Sequence, residues 1–107
     1  MVKAIDFDGT LATYEKGQYP HIGQPVPLML ERCRQWRTDG VDFVIFSARI
    51  HEAPEQAYAI KRWCLYHGLG NVKVTNIKTP DMTEFWDDRA VAIQPNTGKL
   101  MGASHDY

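Results

Sequence analysis

Cysteine is scarce in this chain, with only Cys33 and Cys64 among 107 residues. A disulfide-stapled secreted scaffold needs a denser set, so buried free thiols in a reducing cytoplasm are expected. Excess charge is missing too: 12 Lys+Arg against 13 Asp+Glu leave a net charge of -1 at pH 7. That removes the electrostatic footprint of nucleic-acid or anionic-membrane binding, and no basic stretch is interleaved with aromatics. Long hydrophobic runs are absent; the longest, Val41 to Phe46, is broken by Asp42 and falls far short of a bilayer. The first residues are strand-like rather than leader-like, so neither a signal peptide nor membrane association is expected. The four histidines, His21, His51, His67 and His105, are scattered without zinc-ligand spacing.

What is present is an ordinary globular composition, 44% hydrophobic and 23% charged, at a length that fits one domain over 1–107. Val2 to Phe7 reads as a buried strand. Residues 9–25, punctuated by glycine and proline and carrying Tyr14 and Tyr19, read as a loop with room for a small hairpin. Pro27 fits the first turn of a helix to Asp39, with Met29, Cys33 and Trp36 on one face, and Asp39-Gly40 stops it. Val41 to Phe46 is a second strand, ending at Ser47-Ala48-Arg49. Pro54 opens a second helix, with Ala57, Ile60 and Cys64 in register, closed by Gly68. Val72 to Thr75 and Glu84 to Trp86 are further strands, and Val91 to Ile93 is a candidate fifth. Residues 94–107 read as a turn followed by a tail.

Strands alternating with helices imply right-handed crossovers: an α/β, Rossmann-like, three-layer α/β/α domain whose mainly parallel sheet is covered on both faces. In such a sheet all carboxyl ends of parallel strands share one edge. Asp6, Asp8, Ser47, Lys78, Asp87 and Asp88 all fall at or just after expected strand ends and therefore converge. Four carboxylates at one edge repel unless protons or a cation neutralise them. A hard divalent cation, Mg²⁺ above all, suits an all-oxygen donor set. A cation, a free carboxylate, a hydroxyl and a lysine together are equipment for handling a phosphoryl group.

The run Asp6-Phe7-Asp8-Gly9-Thr10-Leu11 resembles motif I of the haloacid dehalogenase superfamily. Ser47 resembles its motif II, Lys78 its motif III and Asp87-Asp88 its motif IV, in the same order along the chain. The likeness spans roughly residues 2–93 and is strongest to short phage and bacterial members, in which patterns like Ser47-Ala48-Arg49 and Asp87-Asp88-Arg89-Ala90 recur. It implies a phosphatase acting through an aspartyl-phosphate, with Asp6 as nucleophile and Asp8 as general acid/base. It implies a metal site of Asp6, Asp8 (through its backbone carbonyl), Asp87 and Asp88. Gly9, Thr10, Ser47, Ala48 and Lys78 would hold the substrate phosphate, with Arg49 a further candidate. Neither inter-motif gap has room for a cap domain, so the resemblance is to a capless member whose open site is screened by the 9–25 loop.

Blander readings stand beside these. Asp-x-Asp-Gly-Thr is also turn chemistry, and Ser47 alone is also a helix cap. Arg49 could touch substrate or pair with a metal-site carboxylate, although a lone arginine is commonly a surface residue. Lys78 competes with Lys73, which lies inside the expected third strand. Tyr14, Tyr19 and His21 are also loop anchors, whereas Met29, Trp36 and Trp63 read as core. Strand alternation turns Trp86 away from Asp87. The phosphorylated substrate and the oligomeric state stay open. A polynucleotide end is an alternative substrate despite the charge balance, and a phospho-receiver-like or weakly active phosphate-binding protein is an alternative to an efficient enzyme.

Overall fold

A computed structural model of the chain describes residues 1–102; residues 103–107, which hold His105 and the end of the expected tail, lie outside the described residues. Four strands and three helices follow in the order β1 (Val2–Asp6), α1 (Pro27–Asp39), β2 (Phe43–Phe46), α2 (Arg49–Glu52), α3 (Gln56–Tyr66), β3 (Val74–Thr75) and β4 (Met82–Trp86). The sheet order is β3-β2-β1-β4, and every pairing is parallel. The shared carboxyl edge expected from the sequence is therefore present.

Local chemistry explains where elements begin and end. Pro27 occupies the first turn of α1, where its missing N–H costs no helical bond. At the other end Gly40 N–H donates to the Arg37 carbonyl and Val41 N–H to the Trp36 carbonyl. This closure of the helix consumes the N–H of Val41, which is why β2 starts at Phe43 rather than at the expected Val41. Helix α3 closes similarly, with Leu69 N–H donating to the Cys64 carbonyl at 2.9 Å. The short helix α2 is too brief to leave a periodic signal in sequence. Val91 to Ile93 does not form a fifth strand; Ile93 makes one isolated antiparallel bridge to Leu100.

One cluster forms the core: Ile5, Phe43 and Ile45 from the sheet meet Met29, Leu30 and Cys33 of α1 and Ile60 and Cys64 of α3. Trp36 of α1 lies 5.1 Å from Trp86 of β4, ring to ring, and Trp63 of α3 lies 5.1 Å from Phe7. Trp86 thus packs into the core side, as alternation requires. Register places Ile5 beside Ile45 and Trp86, so both long helices cover this one face. The opposite face carries Ala4, Phe46 and Phe85, and among the described residues no helix lies against it. The three-layer expectation is corrected here to two layers. Both helix-bearing crossovers step the same way, from β1 to β2 to β3, and right-handedness puts both helices on the same side. The return to β4 spans only residues 76–81, too few for a covering helix. Cys33 and Cys64 are free and buried, and burial pushes both thiols up to about 12, so neither is a reactive thiolate.

Candidate metal and phosphate site

β1 ends at Asp6, and Phe7, fully buried, plugs the core immediately after it. The Phe7 carbonyl then accepts the N–H groups of Leu11 at 3.0 Å and Ala12 at 2.9 Å, turning the chain tightly back over the strand end. Gly9 sits in this turn at φ +87, a conformation that costs a side-chain-bearing residue free energy. A Cβ at Gly9 would fall 2.6 Å from Asp88 Oδ2. The turn therefore lets the end of β4 close against the end of β1.

That approach brings Asp6, Asp87 and Asp88 together, with one carboxylate oxygen of each within 4.8 Å of the others. Such a trio of oxygen donors can hold a metal ion. Thr10 sits at its hub. Its hydroxyl lies 3.3 Å from Asp6 Oδ2 and 3.0 Å from Asp88 Oδ1, and accepts the Asp88 backbone N–H at 3.0 Å. A single hydroxyl proton serves one carboxylate at a time. Asp87 accepts the Arg89 N–H at 2.8 Å, which fixes the turn after β4. Burial first, then a hydrogen bond shared with Asp88 and the charges of Asp87 and Asp88, push Asp6 up to about 7, with Thr10 opposing. Without a cation, the trio relieves its repulsion by retaining a proton on Asp6.

Asp8 behaves differently. Its carboxylate is not part of the trio but is gripped by Arg49, with Nε on Oδ2 at 2.7 Å and Nη2 on Oδ1 at 2.9 Å. Arg49 is 4% exposed and paired with a carboxylate, the second of its two sequence readings rather than the surface one. Ser47, also buried, accepts the Arg49 N–H on Oγ at 3.2 Å, so the serine does act in turn formation while lining the cavity. Gly9 donates its N–H to the Ala12 carbonyl at 2.8 Å, and the Thr10 hydroxyl is engaged by carboxylates. Neither group points to a phosphate in this arrangement.

A cavity of about 680 Å³ opens over Asp6 and Asp8, walled by Ser47, Ala48, Arg49, Tyr14 and Tyr19. Lys78 is elsewhere. It lines a second cavity of about 770 Å³ on the helix-free face, which also reaches Asp6 and Asp87, and its ammonium lies 4.7 Å from the Phe85 ring centroid. Lys73 directly precedes β3 at its amino end, opposite the carboxyl edge.

The chain has a solved counterpart. A conserved protein coded by a locus of Bacteroides thetaiotaomicron is similar at 27% identity and a TM-score of 0.67, covering 85% of this chain and 78% of its own. No protein-family model matches the chain, and no curated protein does. The likeness to the Bacteroides protein extends over most of both chains and agrees with the α/β architecture. No described helix is long and apolar enough to cross a membrane.

Sequence reasoning missed the hub role of Thr10, which was read only as a phosphate contact; pairing of Arg49 with a carboxylate of the site was among the sequence readings, and Asp8 is the partner.

Proposed function

We propose that the chain is a Mg²⁺-dependent phosphohydrolase of the capless haloacid dehalogenase type, acting through an aspartyl-phosphate on Asp6. The observation that carries this is the meeting of Asp6, Asp87 and Asp88 beside a cavity lined by Asp6, Asp87, Asp8 and Ser47. The all-carboxylate donor set fits a hard cation better than zinc or copper. When bound, Mg²⁺ supplies charge neutralisation for the carboxylates and for the phosphoryl oxygens. The absence of any helix or strand within residues 9–25, apart from isolated bridges such as Ala12 to Pro25, fits a capless architecture. Two buried free thiols fit a reducing cytoplasm.

In this reading an Asp6 oxygen attacks phosphorus and the bond to the leaving oxygen breaks. Asp8 delivers a proton to that oxygen. Asp8 then takes a proton from water, whose oxygen attacks the aspartyl-phosphate, releasing inorganic phosphate and restoring the Asp6 carboxylate. Ser47 hydrogen-bonds a phosphoryl oxygen, and Lys78 swings from Phe85 to add its charge once an anion is bound. Purified protein with Mg²⁺ is expected to hydrolyse an aryl phosphate, and Asp6→Asn to remove that activity; equal rates in both proteins contradict the assignment.

A second reading has one observation in its favour. Both oxygens of Asp8 are held by Arg49, which slows any proton transfer that needs Asp8 to move. A protein that accumulates the aspartyl-phosphate, as a receiver does, would give a stoichiometric burst followed by little turnover.

A further inference from the structure

Arg49 is the most heavily committed polar side chain at the carboxyl edge. Besides both Asp8 oxygens, its Nη1 donates to the Pro20 carbonyl at 2.8 Å and its Nη2 to the His21 carbonyl at 2.8 Å. The rings of Tyr14 and Tyr19 lie 5.9 and 5.2 Å from its guanidinium carbon. Its root is fixed as well, since its own N–H is held by Ser47 Oγ. Residues 14–21 form no helix or strand; Gln18 ties Glu15 and His21 together inside the loop, and Trp63 Nε1 donates to the Gly23 carbonyl. The guanidinium is the contact that joins both cavity-lining tyrosines to Asp8. A buried guanidinium without partners is costly, so the loop and Asp8 hold Arg49 as much as it holds them.

We propose that Arg49 is a positioning residue that couples the loop over the cavity to the orientation of Asp8. The proposal rests on the reading of Asp8 as the proton donor. Each carboxylate oxygen has two lone pairs. The paired donors of Arg49 take one from each oxygen and fix the plane of the group. The remaining lone pairs stay available on the cavity side, where a leaving oxygen needs its proton. Loop placement and proton delivery then depend on the same contact. A lysine cannot substitute, because one ammonium cannot span two carboxylate oxygens and two carbonyls in a planar fork.

Two esters separate this role from a merely structural one. An aryl phosphate with an acidic phenol leaves without help, whereas an alkyl phosphate needs the proton. In Arg49→Lys, kcat for the alkyl ester is expected to fall at least about tenfold further than kcat for the aryl ester. Endoproteinase Lys-C is expected to cut after Lys16, in the released loop, at least about tenfold faster than in the wild type, with cleavage after Lys61 in α3 unchanged. Arg49→Ala should show the same pattern more strongly, and Arg49→Lys keeps the test valid if the alanine variant does not fold. Equal losses for the two esters, or unchanged cleavage after Lys16, overturn the coupling. A wild type that hydrolyses neither ester refutes the phosphohydrolase reading and the proton half of this inference with it. Cleavage after Lys16 then decides whether Arg49 fastens the loop.

Discussion

The β1–β4 part of the sheet edge gathers three carboxylates around a threonine, whereas the β2–α2 part sets one carboxylate against a buried guanidinium. The two regions start one residue apart. Asp6 follows the alternation of β1 and shares the helix-free face with Ala4, while Phe7, on the other side, is driven fully into the core. Asp8 then emerges past the strand, beside β2 and the 9–25 loop. One apolar residue thus sorts two neighbouring aspartates into opposite surroundings. The lesson is that an Asp-x-Asp pair supplies two different functional groups when x is buried. Asp6 is crowded by like charge and waits for a cation; Asp8 already has its counter-ion.

The largest effect that would break this contrast is at Asp6 itself. Asp6→Asn should lower kcat by about three orders of magnitude or more, with Mg²⁺-dependent hydrolysis of an aryl phosphate as the measurement. Asp8→Asn should cost about two orders of magnitude, and more on alkyl than aryl esters, because it removes the proton and not the nucleophile. Indistinguishable profiles for the two variants would erase the division of labour.

Gly9→Ala tests whether the acidic region depends on close approach. Its Cβ would meet Asp88 at 2.6 Å with φ at +87. A loss of about 1–3 kcal/mol in stability is expected, read by denaturant unfolding, together with weaker Mg²⁺ binding. Unaltered binding and stability would mean that β4 does not need this turn.

The raised Asp6 acidity adds a pH dependence. A group whose folded pKa is near 7 and whose ordinary value is 3.8 contributes stability that is complete below 3.8 and drains away as pH rises through about 7. The cation-free protein should therefore melt at a lower temperature at pH 8 than the same group would allow at pH 5, and Mg²⁺ should recover the difference. Cation binding displaces that proton, so calorimetric affinity should weaken about tenfold per pH unit below 7. A flat affinity profile would place the proton elsewhere. The smallest effect expected is from Thr10→Val, about 1 kcal/mol in stability, since one hydroxyl that shares its proton with the trio and accepts the Asp88 N–H is lost.

Much of this was legible in the sequence. Helical periodicity at Met29, Cys33 and Trp36, the helix stop at Gly40 and the apolar run at Phe43–Phe46 carried the element order, and parallel pairing placed Asp6, Asp87 and Asp88 on one edge. The number of layers was not legible, because alternation of elements does not say on which face each helix lies. That depends on strand order, which emerges only when β4 pairs with β1. Which partners Arg49 takes was not legible, because Asp8 and the carbonyls of Pro20 and His21 lie about thirty to forty positions away and leave no periodic trace. Val91 and Ile93 have strand-like composition yet stay half exposed, and Ile93 bridges Leu100 instead of pairing with β4 at the sheet edge.

The central claim, that Asp6 carries the phosphoryl group while Asp8 moves the proton, is tested most directly by trapping. Asp8→Asn protein, incubated with Mg²⁺ and an aryl phosphate and quenched in acid, should yield a peptide phosphorylated on Asp6 by mass spectrometry. The double variant lacking both carboxylates should yield none. A phosphoryl group found on any other residue, or turnover by the Asp6→Asn protein, would contradict the account.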